Sequence, residues 1–222
     1  MKKFICLCLF LLLLASCSKK DNPSGNADSG KTDMTKYYIV SNQSFNGIMF
    51  PAALIFNSNA QGVYFKQYNS SNFEYKVQNG LLQINFGDAN LSWKLDNETL
   101  SDCSSNLFTD YTLEKIPDSD PFAGNIYTGT EYSANLSTSD VNKVPAISNI
   151  LAFKSGQFTL TVISQQGIPS TISGDYTKEV YGVATANVGG EVWRFYIQQG
   201  KLLFTCYNAN AEVVDFGTYT KN

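Results

Sequence analysis

Cysteine and carboxylate side chains carry most of the chemistry that this sequence could perform. The 222 residues include no histidine, which excludes catalytic triads and dyads built on histidine and zinc sites that need it. Five cysteines are present, and three of them, Cys17, Cys103 and Cys206, lie beyond the apolar run at the start of the chain. The candidates for chemistry are therefore these three thiols and a set of scattered carboxylates.

Cys103 and Cys206 could be buried free thiols, partners in a disulfide, or reactive nucleophiles. An exported protein meets an oxidising compartment, which permits a disulfide. However, the two cysteines occupy matching positions of the internal repeat described below, and equivalent positions of two separate barrels would exceed the roughly 7 Å Cα separation that a disulfide allows. A nucleophilic thiol would have no histidine to activate it. The sequence therefore favours two buried free thiols.

Paired carboxylates could hydrolyse glycosidic bonds without a histidine. The candidates are scattered on strand positions that are predicted to face solvent or on turns: Glu74, Asp175, Glu179 and Glu191. No pair stands out, so we interpret them as solvated surface charge. No loop carries the ligand series of a calcium-binding EF-hand. We therefore predict no catalytic residue, no metal site and no cofactor, and we expect that the protein is not an enzyme.

The N-terminus combines a basic start with a short apolar run. Lys2 and Lys3 precede an unbroken apolar stretch from Phe4 to Ala15. A transmembrane helix needs about 20 apolar residues, whereas the apolar region of a signal peptide has about 7–15. The run is therefore typical of a signal peptide, either an ordinary cleaved one or one that leads to lipid attachment.

The order Leu14-Ala15-Ser16-Cys17 resembles the signal of bacterial lipoproteins. This resemblance implies that residues 1–16 are removed and that Cys17 receives acyl chains such as palmitate, which anchor the protein to a membrane without spanning it. Ser18, in place of aspartate, implies export to the outer membrane. The run Lys19-Lys20-Asp21 loosely resembles surface-export signals of Bacteroidetes-type lipoproteins, and both the periplasmic and the cell-surface face stay open.

Residues 17–36 are polar and small, and they are predicted to form a flexible tether because almost no apolar side chain could offset the cost of ordering them. The formal net charge is −3, and removal of Lys2 and Lys3 with the signal leaves about −5. This acidic balance argues against nucleic acid as a partner. The many aromatic residues that follow, 13 Tyr and 15 Phe, favour an all-β protein.

Residues 37–116 show short alternating runs between turn signals. Phe73–Val77 alternates strictly, as a half-buried strand does. Asn79-Gly80 follows, which is the dipeptide best suited to a type I′ hairpin turn, and alternating apolar residues resume at Leu82. The pattern predicts seven or eight strands and no helix in this first β region.

The segment 116–121, with two prolines and two aspartates, is typical of a linker, and a second β region is predicted from residue 122 to 222. Residues 137–149 are predicted to be a loop or a single helical turn. The strands predicted for this region are Asn125–Tyr132, Ile150–Phe153, Phe158–Ile163, Val180–Ala186, Val192–Ile197, Lys201–Tyr207 and Val213–Tyr219.

The two β regions resemble diverged copies of one unit. The sequence Phe56-Asn-Ser is matched by Phe153-Lys-Ser, and each region has one tryptophan followed by a basic residue. The cysteines and the closing strands also recur in the same order. The matched pairs are Trp93-Lys94 with Trp193-Arg194, Leu100–Cys103 with Leu203–Cys206, and Tyr111-Thr112 with Tyr219-Thr220. Four matches in one order indicate an internal duplication.

Together, the short strands, the tryptophan strand and the closing Tyr-Thr strand resemble the small lipocalin-like, or calycin-like, lipoprotein domains of Bacteroidetes-type bacteria. Gly124–Thr130 is similar to the opening strand of such domains. The resemblance implies two tandem antiparallel meander β-barrels, 37–116 and 122–222. Some members of this family have an apolar cup inside the barrel. Closure also removes strand edges that would otherwise aggregate. Trp93 and Trp193 could then contact a ligand or simply fill the core.

The function that these features favour is binding or interaction rather than catalysis. One hypothesis is an outer-membrane lipoprotein that binds a small apolar ligand or a cell-envelope partner. A second is a surface glycan-binding or adhesive accessory protein, because tyrosine and asparagine suit sugar recognition. A third is a purely structural envelope protein. Exposed aromatic residues on one face would favour the glycan hypothesis, and the oligomeric state stays open.

Overall fold

The computed structural model describes residues 32–87, 89–106 and 108–222. The predicted signal peptide 1–16, the lipidation site Cys17 and the tether as far as residue 31 lie outside the described residues. From Asp33 to Asn222 the chain forms one unit by its internal contacts. No helix within the described ranges is long and apolar enough to cross a membrane.

The first sheet is an antiparallel meander whose strand order is β7-β6-β5-β4-β3-β2-β1-β8. Its strands are β1 (Tyr37–Phe45), β2 (Ile48–Phe56), β3 (Gln61–Phe65), β4 (Ser70–Gln78), β5 (Leu81–Asn85), β6 (Asn90–Asp96), β7 (Thr99–Ser101) and β8 (Phe108–Lys115). A short 3₁₀ turn, Met34–Lys36, precedes β1. This turn lies within the predicted tether, yet the Met34 side chain is 2% exposed and packs in the first barrel.

The second sheet contains nine strands and closes through pairing of β9 with β17. Its strands are β9 (Ile126–Asn135), β10 (Val141–Lys143), β11 (Ala146–Lys154), β12 (Gln157–Ser164), β13 (Pro169–Val180), β14 (Val183–Val188), β15 (Glu191–Gln198), β16 (Lys201–Asn208) and β17 (Val213–Lys221). Strands β10 and β11 pair with successive halves of β9, so together they occupy one position in an eight-position barrel.

The prediction of an all-β protein with two tandem meander barrels is confirmed. Local sequence chemistry explains the meander: Asn79 and Gly80 have φ of 52° and 71°, as a type I′ turn requires, and they join β4 to β5. The repeat motifs fall on corresponding strands, because Trp93 lies on β6 and Trp193 on β15, the sixth position of each barrel.

Three details of the second region differ from the prediction. Residues 137–149, predicted to be a loop or helical turn, contain β10 and the start of β11, because backbone pairing with β9 holds this polar stretch extended. The predicted strand Val180–Ala186 is instead interrupted by the turn at Gly182 between β13 and β14. Strand β13 was missed because its side chains are mostly exposed and Tyr176 is the one buried residue that it carries.

The first barrel has a seam between β7 and β8. Among the described residues these two strands share no backbone pairing, and β7 has only three residues. Two hydrogen bonds hold the loop after β7 against Ser92 of β6, and a third joins this loop to Tyr111 of β8. The Ser104 amide donates to the Ser92 carbonyl at 2.8 Å, the Ser92 amide donates to Ser104 Oγ at 2.8 Å, and the Cys103 amide donates to the Tyr111 hydroxyl at 3.3 Å. The corresponding strands β16 and β17 of the second barrel are fully paired.

The two barrels pack against each other through apolar residues on their outer faces. Tyr38 and Val40 on β1 and Phe65 on β3 pack with Val183 and Tyr196 of the second barrel. The Tyr38 hydroxyl also donates to the buried Ile197 carbonyl at 2.8 Å. These residues alternate with inward-facing apolar residues, so the strands at the interface are buried on both faces, which explains why they contain continuous apolar runs.

Candidate functional site

Both predicted ligand-contacting tryptophans lie in barrel cores. Trp93 is 0% exposed and its ring meets Phe108 and Tyr111 edge-on, whereas Trp193 is 2% exposed and stacks on Phe204 with ring centroids 5.9 Å apart. Aromatic side chains occupy the interiors around them. The core interpretation therefore accounts for both rings, and neither offers a face to solvent.

The two remaining cysteines are free thiols. Cys206 is buried in the second barrel and Cys103 is half-buried beside the first. Burial raises the pKa of both thiols, and for Cys206 the nearby carboxylate of Glu191 raises the pKa further. A raised pKa keeps sulfur in its unreactive thiol form. The alternative of a disulfide is excluded, and a reactive thiolate is disfavoured.

A cleft of about 580 Å³ lies between the two barrels. The first barrel contributes Asn42 and Asp110, and the second contributes Gln198, Lys201 and Phe216. Asp110 and Lys201 are exposed, whereas the Phe216 ring is half-buried. The cleft therefore combines amide, carboxylate and ammonium groups with one aromatic surface, and it exists only because the two barrels are joined.

A β-bulge shapes the wall of this inter-barrel cleft. The register of β1 with β8 shifts between Val40 and Asn42, and Asp110 adopts a left-handed φ of 49°. The Asp110 carbonyl accepts a hydrogen bond from Gln198 Nε2 at 2.7 Å, and its carboxylate accepts one from Asn42 Nδ2 at 3.1 Å. Bulges often re-aim side chains at functional sites. Here the Asp110 backbone carbonyl accepts a hydrogen bond from the second barrel, and the Asp110 carboxylate stays bonded to Asn42 of its own barrel at the edge of the cleft.

An open apolar groove of about 480 Å³ adjoins the cleft and shares Met49 and Phe216 with it. Its other apolar lining residues include Ile48, Tyr132 and Val141. Tyr132 is 38% exposed and Val141 is 44% exposed. The cleft and the groove together give the protein an extended surface with a polar and an apolar part.

One end of the second barrel holds acidic side chains inside the barrel wall. The pairing register places Ser133, Asp215, Cys206 and Trp193 in one row across β9, β17, β16 and β15. Glu131 precedes Ser133 by two residues and therefore lies on the same face of β9. Glu131 is 6% exposed and Asp215 is half-buried.

Glu191 completes this group, and its position corrects our interpretation of it as a solvated surface charge. Glu191 is half-buried, accepts a hydrogen bond from Asn208 Nδ2 at 2.9 Å, and lies 3.5 Å from the Cys206 sulfur, which donates to it. We refer to Glu131, Glu191 and Asp215 as the acidic end. The other three carboxylates that we considered, on Glu74, Asp175 and Glu179, are exposed as expected.

Burial raises the pKa of Glu131 to about 7, and the neighbouring Asp215 carboxylate contributes to this shift. Burial also raises the pKa of Asp215, with a further contribution from Glu191. The charged groups that act on these two carboxyl groups are themselves carboxylates. The acidic end therefore concentrates negative charge that no lysine or arginine among the described residues offsets.

Arg194, the basic residue that follows Trp193, is buried at the interface between the two barrels. The Arg194 side chain is 5% exposed and packs against the first barrel. Its guanidinium carbon lies 5.1 Å from the centre of the Phe65 ring. The equivalent residue Lys94 is exposed and pairs with Asp102 at 2.5 Å. Packing against the first barrel therefore makes Arg194 an interface residue, whereas Lys94 stays at the surface.

The stretch from Gly25 to Thr32 matches the pattern of a phosphate-binding loop, Gly-x-x-x-x-Gly-Lys-Thr. Such a loop works when it follows a strand and opens an α-helix. The residues before it carry no strand-like apolar pattern in the sequence, and Thr32 is followed by the 3₁₀ turn and β1. Gly25 to Lys31 lie outside the described residues, and the match supports no phosphate site.

Comparison with known proteins identifies no relative of this chain: no protein-family model matches it, and no curated protein matches it. The site must therefore be interpreted from its own geometry. Sequence reasoning missed Glu131 and Asp215, although a signal was present. Each lies in phase with inward residues of its strand, Glu131 with Tyr127 and Asp215 with Tyr219, so alternation alone places both carboxylates inside the barrel.

Proposed function

We propose that this chain is a non-catalytic lipoprotein of the outer membrane that binds a glycan in the inter-barrel cleft. The observation that supports this proposal best is the cleft itself, which draws hydrogen-bonding side chains from both barrels around the half-buried Phe216 ring. A sugar presents hydroxyl groups at its rim and C–H groups on its faces. Such a ligand matches amide and charged groups beside an aromatic surface.

The barrel interiors provide less support for a small apolar ligand. In the first barrel Phe56, Phe73 and Trp93 are 3% exposed or less, and in the second Phe153 and Phe158 are 2% exposed or less. Small eight-stranded barrels are usually just wide enough for their own side chains to fill. An apolar ligand inside either barrel would have to displace such residues, so the outer surface is the better candidate for binding.

A protein partner in the cell envelope is the second candidate, because the exposed apolar residues are distributed unevenly. Among the described residues, all large hydrophobic side chains that are exposed belong to the second barrel: Ile126, Tyr132, Val141, Ile147, Ile168, Ile172 and Tyr181. Tyr132 and Val141 line one groove, and exposed apolar residues that lie together commonly mark an interaction site. The first barrel would then position the second, and the second would contact the partner.

Lysine and aspartate substitutions in the cleft test the glycan proposal. We expect Lys201→Ala and Asp110→Asn each to weaken oligosaccharide binding by about 10-fold or more, because a hydrogen bond to a charged group contributes about 1.5–3 kcal/mol. Binding would be measured on a glycan array and then by calorimetry with the strongest oligosaccharide. Asparagine tolerates the left-handed backbone at position 110, so this variant should fold.

Lys76→Ala is the matched control for Lys201→Ala, because Lys76 is an exposed strand lysine on β4 of the first barrel and does not line the cleft. It should leave binding unchanged. Failure of the wild-type protein to bind any oligosaccharide, or equal loss of affinity in the control, would reject the cleft as a glycan site.

The lipid anchor is tested by Cys17→Ser in the full chain. We expect wild-type protein to partition into the detergent phase of a cell extract and the variant to move to the aqueous phase. Each buried methylene of an acyl chain contributes about 0.8 kcal/mol to membrane binding, and serine cannot carry the thioether-linked lipid. Cys103→Ser serves as the control. Retention of the Cys17→Ser variant in the detergent phase would contradict lipidation at this residue.

A further inference from the structure

The inter-barrel cleft continues into the apolar groove, and the Phe216 ring belongs to the lining of both. Phe216 meets the fully buried Phe50 ring of the first barrel edge-on, with ring centroids 5.2 Å apart. It also stacks on Tyr132, with centroids 5.7 Å apart and an angle of 26° between the rings. Phe216 and Tyr132 therefore form a continuous aromatic surface that runs from the cleft into the groove.

The chemistry of the lining changes along this surface. The cleft carries the exposed charges of Asp110 and Lys201. Among the described residues that line the groove, none has a charged side chain. The groove presents the exposed side chains of Tyr132 and Val141 and the half-buried Met49 instead, and such a lining binds mainly by removing apolar groups from water. A ligand that fills both parts must be polar at one end and apolar at the other.

Hydrogen bonds between the barrels hold the wall of the groove in place. Asn46 and Gly47, in the turn between β1 and β2, have φ of 50° and 80°, as a type I′ turn requires. Asn46 Nδ2 donates to the Leu136 carbonyl of the second barrel at 3.2 Å, and the Leu136 amide donates to the Glu212 carbonyl at 2.9 Å. The turn is thereby fixed against the second barrel, so a ligand meets a largely preformed groove and binding orders little of the protein.

We propose that the ligand of this surface is an amphipathic glycan, a sugar that carries an alkyl or acyl chain. The sugar occupies the inter-barrel cleft, where Lys201 and Asp110 hydrogen-bond to it, and the apolar chain passes Phe216 and lies along Tyr132 and Val141 in the groove. This inference rests on the proposed glycan binding and names the class of glycan. A sugar without such a chain would use only the polar half of the surface.

The probes are the methyl and n-hexyl β-glycosides of glucose, galactose, mannose and N-acetylglucosamine, which form four matched pairs. A fully buried methylene strengthens binding about 4-fold, and an open groove should deliver about 2-fold. We therefore expect the hexyl glycoside of one or more sugars to bind about 10-fold or more tightly than its methyl counterpart, as measured by NMR chemical-shift titration. The full chain with Cys17→Ser is used, because it needs no detergent that would compete for the groove.

Substitutions separate the two halves of the surface. Val141→Asp should remove the gain from the hexyl chain and leave the affinity for methyl glycosides unchanged, because it places a carboxylate beside the chain. Val141 is 44% exposed, so this variant should fold. Lys201→Ala should weaken methyl and hexyl glycosides by the same factor. Ile168→Asp is the control, since Ile168 is 66% exposed and does not line the groove, and it should keep the hexyl gain.

Equal affinity for the methyl and hexyl glycosides in every pair would overturn this inference, would leave glycan binding intact, and would assign the groove to a protein partner. A hexyl gain that survives Val141→Asp would also overturn it, because the chain would then bind elsewhere. So would failure of all four hexyl glycosides to bind when oligosaccharides are bound on the array. Failure of both the glycosides and the array would reject the proposed function itself.

Discussion

Glu131→Gln is expected to raise the free energy of unfolding at pH 8 by up to about 3 kcal/mol. The pKa of Glu131 rises from 4.5 to about 7 in the folded protein, mainly through burial. Each pKa unit corresponds to about 1.4 kcal/mol. The folded state holds the Glu131 proton more tightly than the unfolded state does. The stability that comes from this proton is therefore fully present below about pH 4.5, the pKa in the unfolded state, and it is lost as the pH rises through about 7.

Urea unfolding at pH 5, 6, 7 and 8 measures this effect. Wild-type stability should fall between pH 5 and pH 7 and level off toward pH 8, and the Glu131→Gln variant should lose most of that slope. The pKa of Asp215 is also raised, so the Glu131→Gln variant should keep a smaller slope at the low pH values of the series. Glu74→Gln should behave like the wild type. Parallel curves for wild type and Glu131→Gln would show that the carboxylate is not buried as described.

Gly182→Ala is expected to destabilise the whole folded unit by about 3 kcal/mol or more. Gly182 has φ of +107°, and a Cβ there would lie 2.3 Å from the Tyr38 hydroxyl oxygen and 2.6 Å from Tyr38 Cζ. Tyr38 cannot move aside cheaply, because it is 1% exposed and its hydroxyl is bonded to the Ile197 carbonyl. The added methyl group would therefore push the second barrel away from Tyr38 of the first.

Gly190→Ala is the matched control, because Gly190 also has a positive φ, +88°, but an added Cβ would meet nothing within 4 Å. It should cost only about 1–2 kcal/mol of backbone strain. Thermal unfolding followed by circular dichroism would compare the two, with a loss of about 10 °C expected for Gly182→Ala. Equal losses in both variants would mean that Tyr38 does not fill the space beside Gly182.

Alternation and turn chemistry were sufficient to predict the barrels. The strict pattern of Phe73–Val77 and the Asn79-Gly80 turn each specify local geometry without reference to the rest of the chain. Strand β13 escaped prediction for the opposite reason. Its residues show no apolar alternation, because its outer face meets solvent and much of its length extends beyond the core, so its extended form depends on pairing with β12 and β14.

The cleft and the interface were harder to predict, because they depend on how the two barrels pack. Nothing local distinguishes Tyr38 and Val40, which contact the other barrel, from apolar residues that fill their own barrel. Arg194 and Lys94 follow equivalent tryptophans, yet only Arg194 is covered. The inward position of Glu131 and Asp215 could have been predicted from the sequence, because both residues alternate in phase with inward aromatic residues of their strands.

The seam of the first barrel gives the two halves of the protein different local dynamics. Among the described residues, β8 has no backbone pairing with β7, and the hydrogen bond from the Cys103 amide to the Tyr111 hydroxyl joins it to the loop after β7. The first barrel can therefore loosen along this line while its other strand pairs persist. Amide protons of Thr99–Ser101 should therefore exchange with deuterium long before those of β16, which is paired on both edges. The second barrel is paired around its whole circumference through β9 and β17. It therefore has no corresponding seam at which local unfolding could begin.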